Sequence, residues 1–181
     1  MVVVAYLGTR GWPDGRLYGA ILAVDELGLP VEFKHTEPVA PAGLVAALHG
    51  RKLDWHLKLN VIGAPLISAL GAQAAAVICD EAVYLKLQPK VKPPLVLVSQ
   101  TTQQPLPESG KAEDVGQGRF LVSLSPTESP YILTPAEGQE KAIPKIAEAM
   151  TAIAKSISIL EPMDRLAKAL EIIASERNEH K

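Results

Sequence analysis

The sequence predicts an α/β fold with a mostly parallel sheet, flanking helices and a helical carboxyl-terminal segment. Residues 2–7 form a continuous apolar run ended by Gly8, which is typical of a central strand buried on both faces. Residues 57–87 read as a strand, a glycine turn, a small-residue helix and a second strand. That order is a βαβ unit, whose two strands would lie parallel.

The elements before this unit follow from local patterns. Asp14 is placed to cap a helix over residues 15–27, and residues 31–35 are expected to form a short strand. Residues 42–48 have helical spacing of apolar side chains. Residues 53–62 alternate between apolar and polar types, which predicts a strand leading into the glycine turn.

The remaining elements set the predicted domain boundaries. A helix over residues 66–79 and strands over residues 82–87 and 94–99 complete a ligand-binding domain, residues 1–99. Residues 100–118 are rich in Thr, Gln, Pro, Ser, Glu and Gly, which favours a flexible linker or a long loop. Residues 119–181 are expected to be a strand followed by a helical extension.

The helical extension carries an apolar seam with alternating spacings of three and four residues. Such a seam packs either on its own domain or against a second copy of the chain. Both alternatives stay open at this point. The seam consists of Ile143, Ile146, Met150, Ile153, Ile157 and Leu160.

Composition limits the classes of partner. The 181 residues carry a formal net charge of -2 without long blocks of like charge, so we expect no strong signature of duplex nucleic-acid binding and no membrane partner. A small anionic ligand stays open. Cys79 is the single cysteine, and the amino-terminal apolar run is too short to span a bilayer, which favours a cytoplasmic protein.

Two glycine-containing turns are the candidate ligand-binding residues. Gly8, Thr9 and Arg10 follow the first strand, where glycine allows close approach to a phosphate and arginine can pair with it; the alternative is a turn with an exposed arginine. Asn60 precedes Gly63, and its amide could either contact a base or ribose or brace the turn.

The helix after the second turn adds one more candidate, and other kinds of site receive none. Ser68 lies in the first helical turn, where its hydroxyl could reach a bound anion or bond back to the helix. The histidines lack metal-ligand spacing, and no nucleophile with a base is evident. We therefore predict no catalytic residue, no metal site and no cofactor.

Residues 59–65, the alanine-rich stretch after them and the tyrosine-containing stretch 83–85 resemble the ligand-binding signature of CARF domains, the CRISPR-associated Rossmann folds. Residues 4–9 also resemble the opening of that family. The resemblance covers residues 2–99 and implies a Rossmann-like sheet. It implies two binding loops, one from Gly8 to Arg10, the other formed by the residues Asn60, Ile62, Gly63 and Ala64.

By this resemblance, the chain would be a homodimeric sensor of cyclic oligoadenylate, a small nucleotide ligand, in CRISPR antiviral defence. Two alternatives stay open. One is an enzyme, either a metal-independent ring nuclease or an unrelated metabolic α/β enzyme using Arg10, His35 and Asn60. The other is a non-catalytic interaction protein.

Overall fold

The computed structural model describes residues 1–179, and eight strands within them form one sheet. The strands are β1 Val3–Gly11, β2 Leu17–Asp25, β3 Pro30–His35, β4 Val77–Cys79, β5 Leu95–Gln100, β6 Ala112–Gly116, β7 Arg119–Val122 and β8 Tyr131–Pro135. Their order in the sheet is β3-β2-β1-β4-β5-β8-β7-β6. Only β1–β4 and β4–β5 are parallel within this part of the chain, and the other neighbouring pairs are antiparallel.

The helices cover both faces of the sheet. The chain is helical over most of residues 43–69, in short segments of α, 3-10 and π type, and again over residues 82–90 and 140–179 with brief breaks. The α-helices are α1 Gly43–His49, α2 Leu53–His56, α3 Ala64–Ala69, α4 Ile143–Ala154 and α5 Glu161–Glu179. The other segments are the 3-10 helices Gly50–Lys52, Ala82–Lys90 and Glu140–Ala142 and the π-helix Leu57–Gly63.

Each face of the sheet has its own apolar core. On one face, alternate residues of β1 such as Val4 and Tyr6 pack with α4 and α5. On the other, Val3, Ala5 and Leu7 pack with side chains from residues 57–67 and from the 3-10 helix Ala82–Lys90. The alternation of β1 side chains between two covered faces explains its unbroken apolar sequence.

The fold is α/β, as predicted, but the mostly parallel, Rossmann-like sheet is wrong. The predicted helix over residues 15–27 is strand β2, which forms an antiparallel hairpin with β1. Eight consecutive residues of β2 are buried, so its sequence lacks the alternation of a strand with one wet face. The spacing of its large side chains therefore resembles a helical stripe, although the segment is a strand.

The central βαβ unit is also wrong, because residues 57–63 are a π-helix and not a strand. The helix prediction for residues 66–79 extends past the end of α3 at Ala69, and Val77–Cys79 is strand β4. The predicted strand over residues 82–87 is helical, with Tyr84 and Leu87 buried. Their spacing of three matches one 3-10 turn.

The carboxyl-terminal half continues the same sheet. Strand β8 pairs with β5, and β6, which lies within the predicted linker 100–118, pairs with β7. The apolar seam packs on its own sheet, since four side chains of α4 are buried in the core between this helix and the sheet: Ile143, Ile146, Met150 and Ile153. The strands predicted near residues 2–7, 31–35 and 94–99 are confirmed as β1, β3 and β5.

Candidate functional site

The parallel strands β1 and β4 are neighbours in the middle of the sheet. We call the region around Gly8 and Asp80, towards the carboxyl ends of these two strands, the sheet edge. Leu7 pairs with Cys79, so Gly8 and Asp80 are neighbours at this edge. The Thr9 N–H donates to Asp80 Oδ2 at 2.9 Å, and the Asp80 N–H donates to the Leu7 carbonyl at 3.1 Å. Asp80 is thereby fixed by β1 from two directions.

Gly8 leaves the space that the Asp80 carboxyl group occupies. A Cβ atom at position 8 would lie 2.9 Å from Asp80 Oδ2 and 2.7 Å from a methyl carbon of Leu166 on α5. Such distances are shorter than ordinary packing contacts, so any side chain here would displace one of these neighbours. Glycine at this position therefore brings β1, β4 and α5 together.

Asp80 is exposed as a whole residue, but its carboxyl group is partly enclosed. Burial raises the pKa of Asp80 to about 6, opposed by the hydrogen bond from the Thr9 N–H and assisted by the nearby charge of Glu81. A carboxyl group with this pKa changes its charge just below neutral pH. Asp80 is thus the titratable group of the edge.

Thr9 and Tyr84 extend the edge on the face opposite α5. The buried Tyr84 hydroxyl donates to Thr9 Oγ1 at 3.0 Å. Burial raises the pKa of Tyr84, so its hydroxyl stays protonated and can act as a donor. This bond ties the 3-10 helix Ala82–Lys90 to the end of β1.

Lys58 connects the edge with the helical layer. Its Nζ lies 2.9 Å from Glu81 Oε2 and 3.1 Å from Asp54 Oδ2. Partial burial lowers the pKa of Lys58, but the two carboxylates outweigh that effect and leave the pKa raised. Lys58 therefore remains charged and holds the segments that contain Asp54 and Glu81 side by side.

The same two segments present an aromatic ring and cations on the surface. Lys86 Nζ lies 5.7 Å from the centre of the Trp55 ring, and 39% of Trp55 is exposed. Lys90 Nζ donates to Asn60 Oδ1 at 2.9 Å. We call the surface formed by Trp55, Lys86, Asn60 and Lys90 the aromatic–basic strip.

Two histidines support the amide of the strip. Asn60 Nδ2 lies 3.2 Å from His56 Nδ1, and the His56 ring stacks on His49 with 3.9 Å between ring centres. Asn60 is therefore oriented by a cation on its oxygen and a ring nitrogen near its amide group.

The structure brings only part of the predicted site together. Gly8, Thr9 and Arg10 lie within β1, which runs on to Gly11 and stays paired with β2, so they form strand and not the predicted loop. The Arg10 guanidinium lies 4.0 Å from the Glu171 carboxylate on α5. Asn60 lies in the aromatic–basic strip, on the surface of the helical layer.

The other members of the predicted second loop have packing roles or lie apart. Ile62 and Gly63 are buried, with Ile62 against Gly19 of β2 and Gly63 against Leu87 and Tyr84. Ala64 is half-buried. Ser68 is exposed and, together with Val2 and Lys92, lines a surface cavity of about 1040 Å³. Gly63 is helical and does not form the predicted turn.

Sequence reasoning assigned no site role to Asp80, Tyr84, Lys58 or Trp55. The signal for Asp80 was its place directly after the buried run Val77–Cys79, but that run was assigned to a helix. Among the described residues, no group of three or more His, Cys, Asp and Glu is placed to hold a metal ion. Within the same range, no helix is both long and apolar enough to cross a bilayer.

No protein-family model matches the chain, and no curated protein matches it. Solved structures do match its fold. Ciona intestinalis endonuclease V (D234N), in complex with a 23mer DNA containing an inosine followed by a ribo-adenosine, has a TM-score of 0.51 and 11% identity over 94% of this chain and 86% of that chain. Human ENDOV has a TM-score of 0.51 and 10% identity over 96% of this chain and 86% of that chain.

These matches correct three predictions. The chain shares its fold with endonuclease V, which overturns the predicted CARF sensor of cyclic oligoadenylate and its role in CRISPR defence. The expectation of no duplex nucleic-acid signature is also wrong, since a protein with this fold was solved on DNA. At these identities the likeness concerns the fold, so the fold of endonuclease V is what the comparison establishes for this chain.

Proposed function

We propose that this protein binds nucleic acid, and that the aromatic–basic strip receives a single-stranded segment. The carrying observation is that two pairs, Trp55–Lys86 and Asn60–Lys90, join the helical segment 53–63 to the 3-10 helix Ala82–Lys90. An exposed aromatic ring flanked by cations suits single strands, because an unstacked base can lie on the ring while the cations contact phosphates. The fold likeness to a protein solved on DNA supports the same class of ligand.

Each member of the strip has a chemical role in this proposal. The Trp55 ring offers a stacking face to any base. Lys86 and Lys90 supply positive charge that can contact a phosphate backbone. This local charge matters because the chain as a whole has a net charge of -2. The Asn60 amide can both donate to and accept from a base edge.

Arg10, near the end of β1, is a separate cation that can contact a phosphate. Its guanidinium group is half exposed and lies 4.0 Å from an equally exposed Glu171 carboxylate, a distance at the outer limit for an ion pair. A surface pair of this kind contributes little stability, so the guanidinium can exchange Glu171 for a phosphate. Because Asp80 is less ionised below pH 6, repulsion of a phosphate at the edge weakens on acidification.

The test is fluorescence polarisation with labelled 20-nucleotide DNA and RNA single strands and the matching duplexes. We expect single strands to bind more tightly than duplexes, and Trp55→Ala to weaken binding by roughly 5- to 150-fold, as the loss of one stacked base implies. Trp55→Phe keeps a stacking face and should retain most of the affinity. Lys86→Gln and Lys90→Gln should each reduce the slope of log K against log salt by about 0.7.

The matched controls are Lys145→Gln on α4 and Lys155→Gln at the end of α4, which remove exposed cations from the layer on the other face of the sheet. Neither control should change affinity or salt slope. Thermal unfolding of each variant shows whether the fold is retained. Absence of binding at 50 mM salt, or equal binding by wild type and folded Trp55→Ala, would contradict the proposal.

A further inference from the structure

Strand β3 is the outermost strand on one side of the sheet and exposes apolar side chains. Phe33 is 39% exposed, on the opposite face of the strand from Glu32 and Lys34. Val31 is 41% exposed and lies at a register shift, where Glu32 pairs with Ala23 and Pro30 with Val24. An exposed apolar edge strand is a template for pairing with another chain unless other features block it.

The hydrogen bonds of β3 determine which backbone groups face the open edge. The Thr36 N–H donates to the Gly19 carbonyl at 2.8 Å, so residues 36 and 19 form a hydrogen-bonded pair. Hydrogen-bonded and non-bonded pairs alternate in an antiparallel ladder. Since Lys34 pairs with Ile21, its backbone groups face β2, whereas those of Phe33 and His35 point away from the sheet.

The sequence of this edge is complementary to itself. If a second β3 pairs antiparallel about a twofold axis at Phe33, each Glu32 lies opposite Lys34 of the second copy. Phe33 then faces its own equivalent. Opposite charges and aromatic pairs at directly opposed positions both stabilise antiparallel sheets.

Within one chain, the two charged side chains are already on the same face. Lys34 Nζ lies 3.1 Å from Glu32 Oε1, and the Glu32 carboxylate accepts the N–H groups of Gly71 and Ala72 at 2.9 and 2.8 Å. These bonds hold Glu32 in place next to the edge. A second copy would complete a square of two Glu32 and two Lys34 side chains with alternating charge.

We propose that the protein forms a homodimer through antiparallel pairing of β3 with β3 of a second copy, with Phe33 on the twofold axis. The eight-stranded sheet of each copy then continues into that of the other. The proposal is independent of nucleic-acid binding, because the aromatic–basic strip does not include β3.

Engineered cysteines test both the dimer and its register. Phe33→Cys places two cysteines in a hydrogen-bonded pair, whose Cα atoms lie about 5.5 Å apart and can form a disulfide. Val31→Cys is the matched control, because its equivalents would lie roughly 14 Å apart, four residues along the strand. The native Cys79 is buried and does not interfere.

We expect oxidised Phe33→Cys to run as a covalent dimer and Val31→Cys to remain a monomer under denaturing electrophoresis. Equal cross-linking of both variants, or none in Phe33→Cys, overturns the proposed register and interface.

Sedimentation provides a second test in which Phe33 is retained. The wild type should show about twice the 19.3 kDa mass of one chain at high concentration. Lys34→Glu places two carboxylates opposite each other at both charged positions and should weaken dimerisation about tenfold or more. A wild type that is still monomeric at roughly 100 µM would have a dimer Kd well above that concentration, which refutes the proposal. An unchanged dimer in folded Lys34→Glu refutes it as well.

Discussion

Asp80 shows how one side chain depends on three segments of the chain. Strand β4 ends just before it, β1 supplies the Thr9 N–H, and Gly8 leaves room for its carboxyl group beneath Leu166. This enclosure raises the pKa of Asp80 to about 6, from an ordinary value of 3.8. The group therefore binds a proton more readily in the folded chain than in the unfolded one.

The pH dependence of stability tests this environment. Between about pH 4 and 6 the folded chain binds more protons at Asp80 than the unfolded chain, so the free energy of unfolding should fall as pH rises through this range and level off above it. Asp80→Asn cannot ionise and should lose this contribution. Urea unfolding of both proteins from pH 3.5 to 7.5 measures the difference, and parallel pH curves would contradict the assignment.

The helical layer over residues 43–69 packs on the sheet through close contacts at glycine. Ile62 of the π-helix lies directly over Gly19 of β2, where a Cβ atom would collide with the Ile62 Cγ2 methyl group. Gly63 similarly accommodates Leu87 and Tyr84 of the 3-10 helix Ala82–Lys90. The position of Asn60 and Trp55 on the surface thus depends on packing between buried neighbours.

A double-mutant cycle tests the Ile62–Gly19 contact. Gly19→Ala should cost about 1–3 kcal/mol by overpacking, and Ile62→Ala about 2–5 kcal/mol by leaving a cavity. The double variant should lose less than the sum, since the new methyl group enters the vacated space. Gly43→Ala, with no atom near its Cβ position, is the control and should change the free energy of unfolding by less than about 0.5 kcal/mol.

At the scale of the whole molecule, α4 and α5 form the cover of one sheet face. Ile146, Met150 and Ile153 are fully buried, and the Tyr6 hydroxyl of β1 donates to the Ile159 carbonyl at 2.9 Å between the helices. Arg165 of α5 also donates to the Gly28 carbonyl in the β2–β3 turn. These contacts join the carboxyl-terminal helices to β1 and to the turn after β2, so the first strands and these helices share one core.

Ile153→Asp distinguishes this arrangement from a seam between two copies. A charge placed at a fully buried position has no water or partner, and the variant should fail to fold. Ile172→Asp on α5, at a position 57% exposed, should keep the wild-type circular dichroism spectrum. A folded, monomeric Ile153→Asp would show that Ile153 faces another chain.

Much of the sheet could be predicted from the sequence where one pattern dominates. Strands β1, β3 and β5 and helix α4 have local signals that agree with their burial. Strand β2 and the segment 57–63 lack such agreement. The former is buried along nearly its whole length, and the latter combines an alternating start with a π-helical turn whose spacing fits neither regular period.

The residues of the candidate site also differ in whether a local pattern could predict them. Gly8, Thr9 and Arg10 are adjacent in sequence and therefore stay together, but they lie in strand β1 and not in the predicted turn. The pairing of Asp80 with Thr9, or of Lys86 with Trp55, joins residues 71 and 31 positions apart. No local pattern encodes such a contact.

Local patterns in the sequence are enough to predict an α/β protein with an apolar first strand, a short strand near residues 31–35 and amphipathic carboxyl-terminal helices, because burial imposes a local period on each of these segments. The antiparallel return of β2 beside β1, and the parallel pairing of β4 with β1, follow from contacts between distant segments. Strand pairing is set by which buried faces fit together across the sheet. That competition between distant segments decides which polar residues meet at its edge.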